Sequence, residues 1–237
     1  YGFIFQDRGG IGRVPTLMPC RWEDGWPILG DADGRVPECM EMPASGEKCK
    51  GSIMGSDDFD TDRLSLNWQW NHNPDDANWS VTENPGYYRI KNGKVAGNIW
   101  FARNSLTQRT VGPNFTSETC VLTENMKPGD YAGLAAISAH YGMVGVKCDE
   151  KGNRYVFQCC NSDTNSGAKA KKEDKIKENA VSEEKIEGNA PVYLKIEYAF
   201  NTGNTRADRA NFFYSLDGEN WKSIGETFSL GFDTCLL

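Results

Sequence analysis

The chain has 237 residues, with 26 Lys and Arg against 33 Asp and Glu and a formal net charge of −7. That acidic balance lacks the basic stripe nucleic-acid binding requires, and no apolar run approaches the ~20 residues of a membrane helix, so neither kind of partner is expected. Asp7 and Arg8 break the opening apolar stretch, too early for a signal peptide, and the absence of an initial Met leads us to expect an excised or incomplete piece.

Residues 1–5 form a short apolar strand, Gly9-Gly10 a turn, and residues 14–22 a second strand interrupted by Pro15 and Pro19. Asp24-Gly25 is a hairpin signal leading into Trp26-Pro27-Ile28-Leu29, because both residues tolerate the left-handed backbone of a tight hairpin. Two or three strands in residues 1–37 have no core of their own. Residues 38–56 lose apolar periodicity and read as a connector.

Strand signals resume at residue 57. Leu64-Ser-Leu-Asn-Trp68-Gln-Trp70 alternates with period two, and further short strands are expected at 87–90, 99–101, 118–122, 131–137, 143–147, 155–158, 192–200, 211–216 and 221–224. With 25 Gly, 10 Pro, 11 Phe, 7 Trp and 9 Tyr, this all-β pattern of short strands and tight turns reads as a β-sandwich. Trp221, after the Asp217-Gly218 turn, is expected in its core. Residues 165–190 stand apart: six Lys and six Asp or Glu fall between 169 and 187, the signature of a solvated loop or short surface helix.

Eight Cys and two His show no paired ligand spacing for structural zinc. An even count permits disulfides, but Cys120 and Cys148 lie in apolar runs where a free thiol is the simpler reading. Asp57-Asp58-Phe59-Asp60 could offer oxygen ligands to a structural calcium, without the Gly and terminal Glu of an EF-hand loop. Solvated carboxylates are the plainer alternative.

Sugar binding needs flat aromatic faces flanked by polar groups. Trp68 and Trp70, two apart, share a face if extended, with His72, Trp79 and Tyr88 nearby. That face reads as a platform for a glycan, as sandwich core, or as a seam against another unit. For His72, a hydrogen-bonded structural role is favoured over general base.

Two sets of motifs carry a resemblance. Gly12-Arg13-Val14-Pro15 followed by Trp22-Glu-Asp-Gly25-Trp26-Pro27-Ile28 resembles the end of the last propeller blade in glycoside hydrolase family 43. Trp68-Gln-Trp-Asn-His-Asn-Pro74, Trp79-Ser-Val-Thr-Glu-Asn-Pro-Gly-Tyr87, residues 102–110 (ARNSLTQRT), 126–134 (MKPGDYAGL) and 213–221 (FYSLDGENW) resemble that family's concanavalin A-like, jelly-roll sandwich. The resemblance implies a fragment of a five-bladed propeller over residues 1–37, the connector 38–56, and a sandwich over 57–237 with a charged insertion at 165–190 and its final strands missing.

It further implies an inverting β-xylosidase or α-L-arabinofuranosidase acting on xylan, arabinoxylan or xyloglucan side chains, with no cofactor required. Its partners would be plant cell-wall polysaccharides or oligosaccharides and the missing blades of the same protein, in a secreted or cytoplasmic setting. Inversion needs two carboxyls ~6.5–9.5 Å apart, and in the family these lie upstream of what is present here, so no catalytic residue is expected and the chain alone should be inactive. Arg13 matches an arginine that reaches the family's active-site floor, where a guanidinium can hold carboxylates and hydroxyls together; the alternative is a salt bridge that ties the last blade to the first. Expected substrate contacts are therefore Arg13, Trp68, Trp70, His72, Trp79 and Tyr88. The rival reading is a stand-alone carbohydrate-binding module for xyloglucan or xylan.

Overall fold

The computed structural model describes residues 1–41, 51–138, 140–161, 179–201 and 208–231, and every structural statement refers to these. Part of the expected connector and residues 165–178 of the charged insertion lie outside them, as does anything bearing on final strands after residue 231.

The chain opens with two antiparallel ribbons. β1 (Gly2–Asp7) pairs with β2 (Arg13–Met18) from Gly2↔Met18 to Asp7↔Arg13. β3 (Cys20–Glu23) pairs with β4 (Trp26–Leu29). The expected single strand over 14–22 is split at Pro19, which has no N–H to continue a ladder. At the second ribbon's turn, Asp24 and Gly25 take φ of 49° and 83°, the backbone a two-residue hairpin demands.

The core is a sandwich of two antiparallel sheets. One runs β10 (Tyr131–Ile137), β11 (Tyr141–Cys148), β12 (Arg154–Asn161), β13 (Asn179–Ile186). The other runs β16 (Lys222–Ser223), β15 (Arg209–Ser215), β14 (Val192–Ala199), β9 (Asn114–Val121), with β17 (Phe228–Ser229) also paired to β15. On β14, Val192, Leu194, Ile196 and Tyr198 point inward and are buried, while Tyr193, Lys195, Glu197 and Ala199 do not. They meet Val144, Val146 and Val156 of the facing sheet and Phe212 and Tyr214 of β15 in one cluster, each buried side chain contributing roughly 1.5–3 kcal/mol of transfer free energy.

β13 corrects the charged-insertion reading for residues 179–186. They form an edge strand paired to β12, with Lys147 and Glu183 in an ion pair across the sheet, and charge on an edge discourages pairing with other chains. Trp221 is also corrected: it is half-buried on the outer side of β14, its ring 4.5 Å from Lys195 Nζ. The loop before β16 leaves it there, while Ile224 enters the core.

Residues 57–110 hold little regular structure: β5 (Gln69–Trp70) pairs with β8 (Leu106–Thr107), and β6 (Trp79–Ser80) with β7 (Arg89–Ile90). The long strand expected over 64–70 shrinks to Gln69–Trp70, with Leu66 fully solvated at 102 %. The strand expected at 99–101 is a 3-10 turn, Ile99–Phe101. That turn delivers Trp100 onto the outer face of β11 and β12, where it meets Tyr141 edge-on at 4.7 Å and packs with Phe157 and Cys159. β11 and β12 are thereby covered on both faces.

The β1–β2 ribbon is not free of the sandwich. Its tip, residues 8–12, presses Ile11 against the main core, and Gly10 N–H donates to Asp208 Oδ2 at 2.6 Å. Elsewhere the ribbons bury Met18, 1 % exposed, but leave Tyr1, Phe3, Trp22 and Trp26 open to solvent, at 68, 72, 71 and 73 % exposed.

Candidate functional site

Four of the six expected contact residues come together in a ladder of rings along residues 57–88, joined by Phe59. Trp68 stacks on Phe59 at 5.8 Å and 19°. Phe59 meets Tyr88 at 5.8 Å, Tyr88 meets Trp79 at 6.1 Å, and Trp79 meets Trp70 at 5.2 Å. All five rings are half-buried. Contacts at these separations are worth about 0.5–1.5 kcal/mol per pair beyond area burial.

The ladder's polar atoms are bound as well. Trp68 Nε1 donates to Asp57 Oδ2 at 2.7 Å and Trp79 Nε1 to Asp76 Oδ1 at 3.0 Å. Tyr88 O–H donates to the Asn104 carbonyl at 2.7 Å, and burial pushes its phenol well above the ordinary value. Asn104, 2 % exposed and with φ of 62°, fixes this end of the segment. Its Oδ1 accepts from Asp75 N–H at 2.8 Å and its Nδ2 donates to the Asp75 and Asn78 carbonyls at 3.2 Å. Buried amides that satisfy both ends specify a unique backbone path, which a segment with few strand hydrogen bonds needs.

His72 and Arg13 take other partners. The His72 imidazole bonds the Trp100 carbonyl through Nε2 and lies parallel to the Phe101 ring at 6.1 Å, anchoring the turn that inserts Trp100. Arg13 is exposed on β2, its guanidinium 4.6 Å from the Phe5 ring centre. Phe59 and Asn104 went unnoticed in the sequence; a left-handed φ of 49° at Phe59, uncommon for a bulky residue, marks it only once the backbone is known.

In the acidic entry segment, protein donors hold Asp57. Burial raises the Asp57 carboxyl, but bonds from Phe59 N–H, the Trp68 indole and Ser65 outweigh it and hold the group below its ordinary value. Both oxygens are thus committed to protein donors, and no group of three His, Cys, Asp or Glu suited to a metal occurs among the described residues. Cys20, Cys39, Cys120, Cys148 and Cys160 are free thiols; Cys49 and Cys235 lie outside the described residues. No helix among the described residues is long and apolar enough to cross a membrane.

Known proteins share this architecture. A bifunctional protein of Bacteroides eggerthii, described as GH43-CE, superposes with a TM-score of 0.83 at 38 % identity, over 98 % of this chain and 28 % of that one. A beta-xylosidase of Formosa agariphila is 29 % identical over 93 % of this chain and 38 % of its own length. A putative beta-xylosidase of Xylanibacter ruminicola is 32 % identical over 96 % of this chain and 39 % of its own. The chain thus spans well under half of these relatives. Residues 56–234, which hold the ring ladder and both sandwich sheets, match the family described as beta xylosidase C-terminal concanavalin A-like domain, and the chain belongs to that family.

Proposed function

We propose that the chain is the C-terminal accessory part of a hemicellulose-degrading glycosidase. In this reading residues 1–37 are the last blade of a catalytic propeller, 38–56 a connector, and 57–237 a sandwich that braces the blade. One observation carries it: the β1–β2 ribbon docks on the sandwich through its tip, while the two ribbons present Phe3, Trp22 and Trp26, each above 70 % exposed, to solvent. Large apolar side chains left this exposed on short ribbons call for cover by another unit, and the remaining blades supply one. The beta-xylosidase names of the relatives suggest xylan, arabinoxylan or xyloglucan side chains as substrate, with Arg13 reaching the sugar or its catalytic carboxylates once the blades are assembled.

For the rings, the reading is bracing rather than a free-standing glycan platform. Trp68, Trp70, Trp79 and Tyr88 spend ring faces and edges on one another, leaving less to stack on a sugar. The test is titration of the chain with xyloglucan and arabinoxylan oligosaccharides, followed by tryptophan fluorescence and calorimetry. No saturable response from the folded chain is expected. Saturable binding that disappears in a folded Trp68→Ala, Trp70→Ala double variant would replace bracing with a carbohydrate-binding module.

A further inference from the structure

Beside the Ile11 contact, one buried acid joins the ribbon to the sandwich. Asp208 is 1 % exposed, yet its two oxygens serve different units. Oδ2 accepts from Gly10 N–H of the ribbon tip at 2.6 Å, and Oδ1 accepts from Asn201 N–H of the sandwich at 2.6 Å. The Asp208 carbonyl also accepts from Leu230 N–H at 2.9 Å, which ties the acid to the end of the sheet. Charge-assisted bonds to main-chain N–H groups are among the stronger ones a protein makes.

The ribbon is shaped to receive this acid. Gly9 and Gly12 take φ of 63° and 89°, closing a turn in which Gly12 N–H donates to the Gly9 carbonyl at 2.8 Å. A Cβ on Gly10 would lie 3.0 Å from Asp208 Oδ2 and 3.2 Å from Leu230 Cβ, tight enough that these neighbours would have to give by a few tenths of an ångström, and glycine spares them that. Arg13 follows directly on the clamped turn.

The geometry points to Asp208 as a positioning residue: a buried latch that fixes the β1–β2 ribbon on the sandwich and thereby sets where Arg13 stands. The Arg13 half rests on the functional reading above; the latch itself does not. Ile11 beside it adds apolar packing, and the two-oxygen acceptor adds direction.

The test has two arms. In the first, hydrogen exchange is followed on this chain. Asp208→Asn keeps the shape but turns an amide N–H₂ toward one of the two N–H donors, so exchange of the β1 and β2 amides should quicken roughly tenfold or more while β14 stays protected. Asp217→Asn, which alters a similar carboxylate cap at the far turn, should leave the ribbon unchanged. Unaltered ribbon exchange in folded Asp208→Asn overturns the latch. Should that variant unfold the sandwich, Gly10→Val, whose branched side chain cannot fit against Asp208 and Leu230 in place, decides: quickened exchange confined to the ribbon supports the latch, and unchanged exchange overturns it.

In the second arm, kinetics are measured on the longer protein carrying the chain, with xylo-oligosaccharides. Asp208→Asn should raise KM several-fold with a smaller effect on kcat, and Arg13→Ala should impair both. If Arg13→Ala has no effect, the functional reading fails while the latch stands on exchange. If Arg13→Ala impairs turnover but Asp208→Asn changes neither constant, the positioning role is overturned.

Discussion

Tyr88 is the middle rung of the ring ladder, so its removal separates Trp68–Phe59 from Trp79–Trp70. Tyr88→Ala deletes two ring contacts at about 0.5–1.5 kcal/mol each, together with the area buried by a half-buried phenol. The bond to the Asn104 carbonyl is lost too, worth about 1 kcal/mol. Full aromatic truncation in a core costs about 3–5 kcal/mol, and partial exposure brings the expectation here to about 2–4 kcal/mol, or about 5–10 °C in Tm for a chain of this size. Tyr88→Phe keeps the rings and should lose only about 1 kcal/mol. Urea unfolding followed by near-ultraviolet circular dichroism, which reads aromatic packing, would measure both. A Tyr88→Ala chain within about 0.5 kcal/mol of the parent would refute the ladder as a bracing element, because changes of that size are typical of surface positions.

Alkali should destabilise the sandwich. Burial raises the phenols of Tyr198 and Tyr214, the latter to about 12 with the Glu184 carboxylate adding to the shift. A raised folded value means the unfolded chain releases its proton first. The contribution is therefore intact below pH ~10 and lost as pH rises towards 12; Tyr214→Phe should flatten that part of a urea midpoint series. Ile196→Ala, at a site with 0 % exposure, should cost about 2–5 kcal/mol. Glu197→Ala, one residue along and paired only at the surface with Lys195, should cost under about 1 kcal/mol in the same denaturation assay. Trp22→Ser with Trp26→Ser should leave Tm within about 2 °C and reduce self-association in sedimentation velocity, since both indoles stand bare.

The sandwich was legible wherever one face meets solvent and the other the core. Val192, Leu194, Ile196 and Tyr198 spell β14 by alternation, and Asp24-Gly25 announces its hairpin by the backbone it permits. Residues 64–70 alternate just as well, yet only Gln69 and Trp70 find a partner strand: their tryptophans are satisfied by other rings, and nothing local in the sequence says so. β13 was hidden for the opposite reason, since an edge strand can carry Glu183, Glu184 and Lys185 where a central one cannot. Of the candidate site, Trp68, Trp70, Trp79 and Tyr88 do lie together, but their mutual stacking depends on Phe59 and on Asn104. Asp208 had no signal at all, because its ribbon partner lies 198 residues earlier in the chain.

The double covering of β11 and β12 shapes how freely the protein can drift. Along β14, every second position is only half-buried, facing Trp221 and solvent, so accumulated substitutions would leave a comb of fixed and more variable sites. Along β11 and β12 there is no such relief: Val144 and Val156 face the sandwich, Tyr141 and Phe157 face the Trp100 layer, and neighbouring positions are constrained by different partners. A residue that changes there must suit a surface contributed by a distant part of the chain, so these two strands should vary in step with the loop that carries Trp100 and more slowly than the rest of the fold.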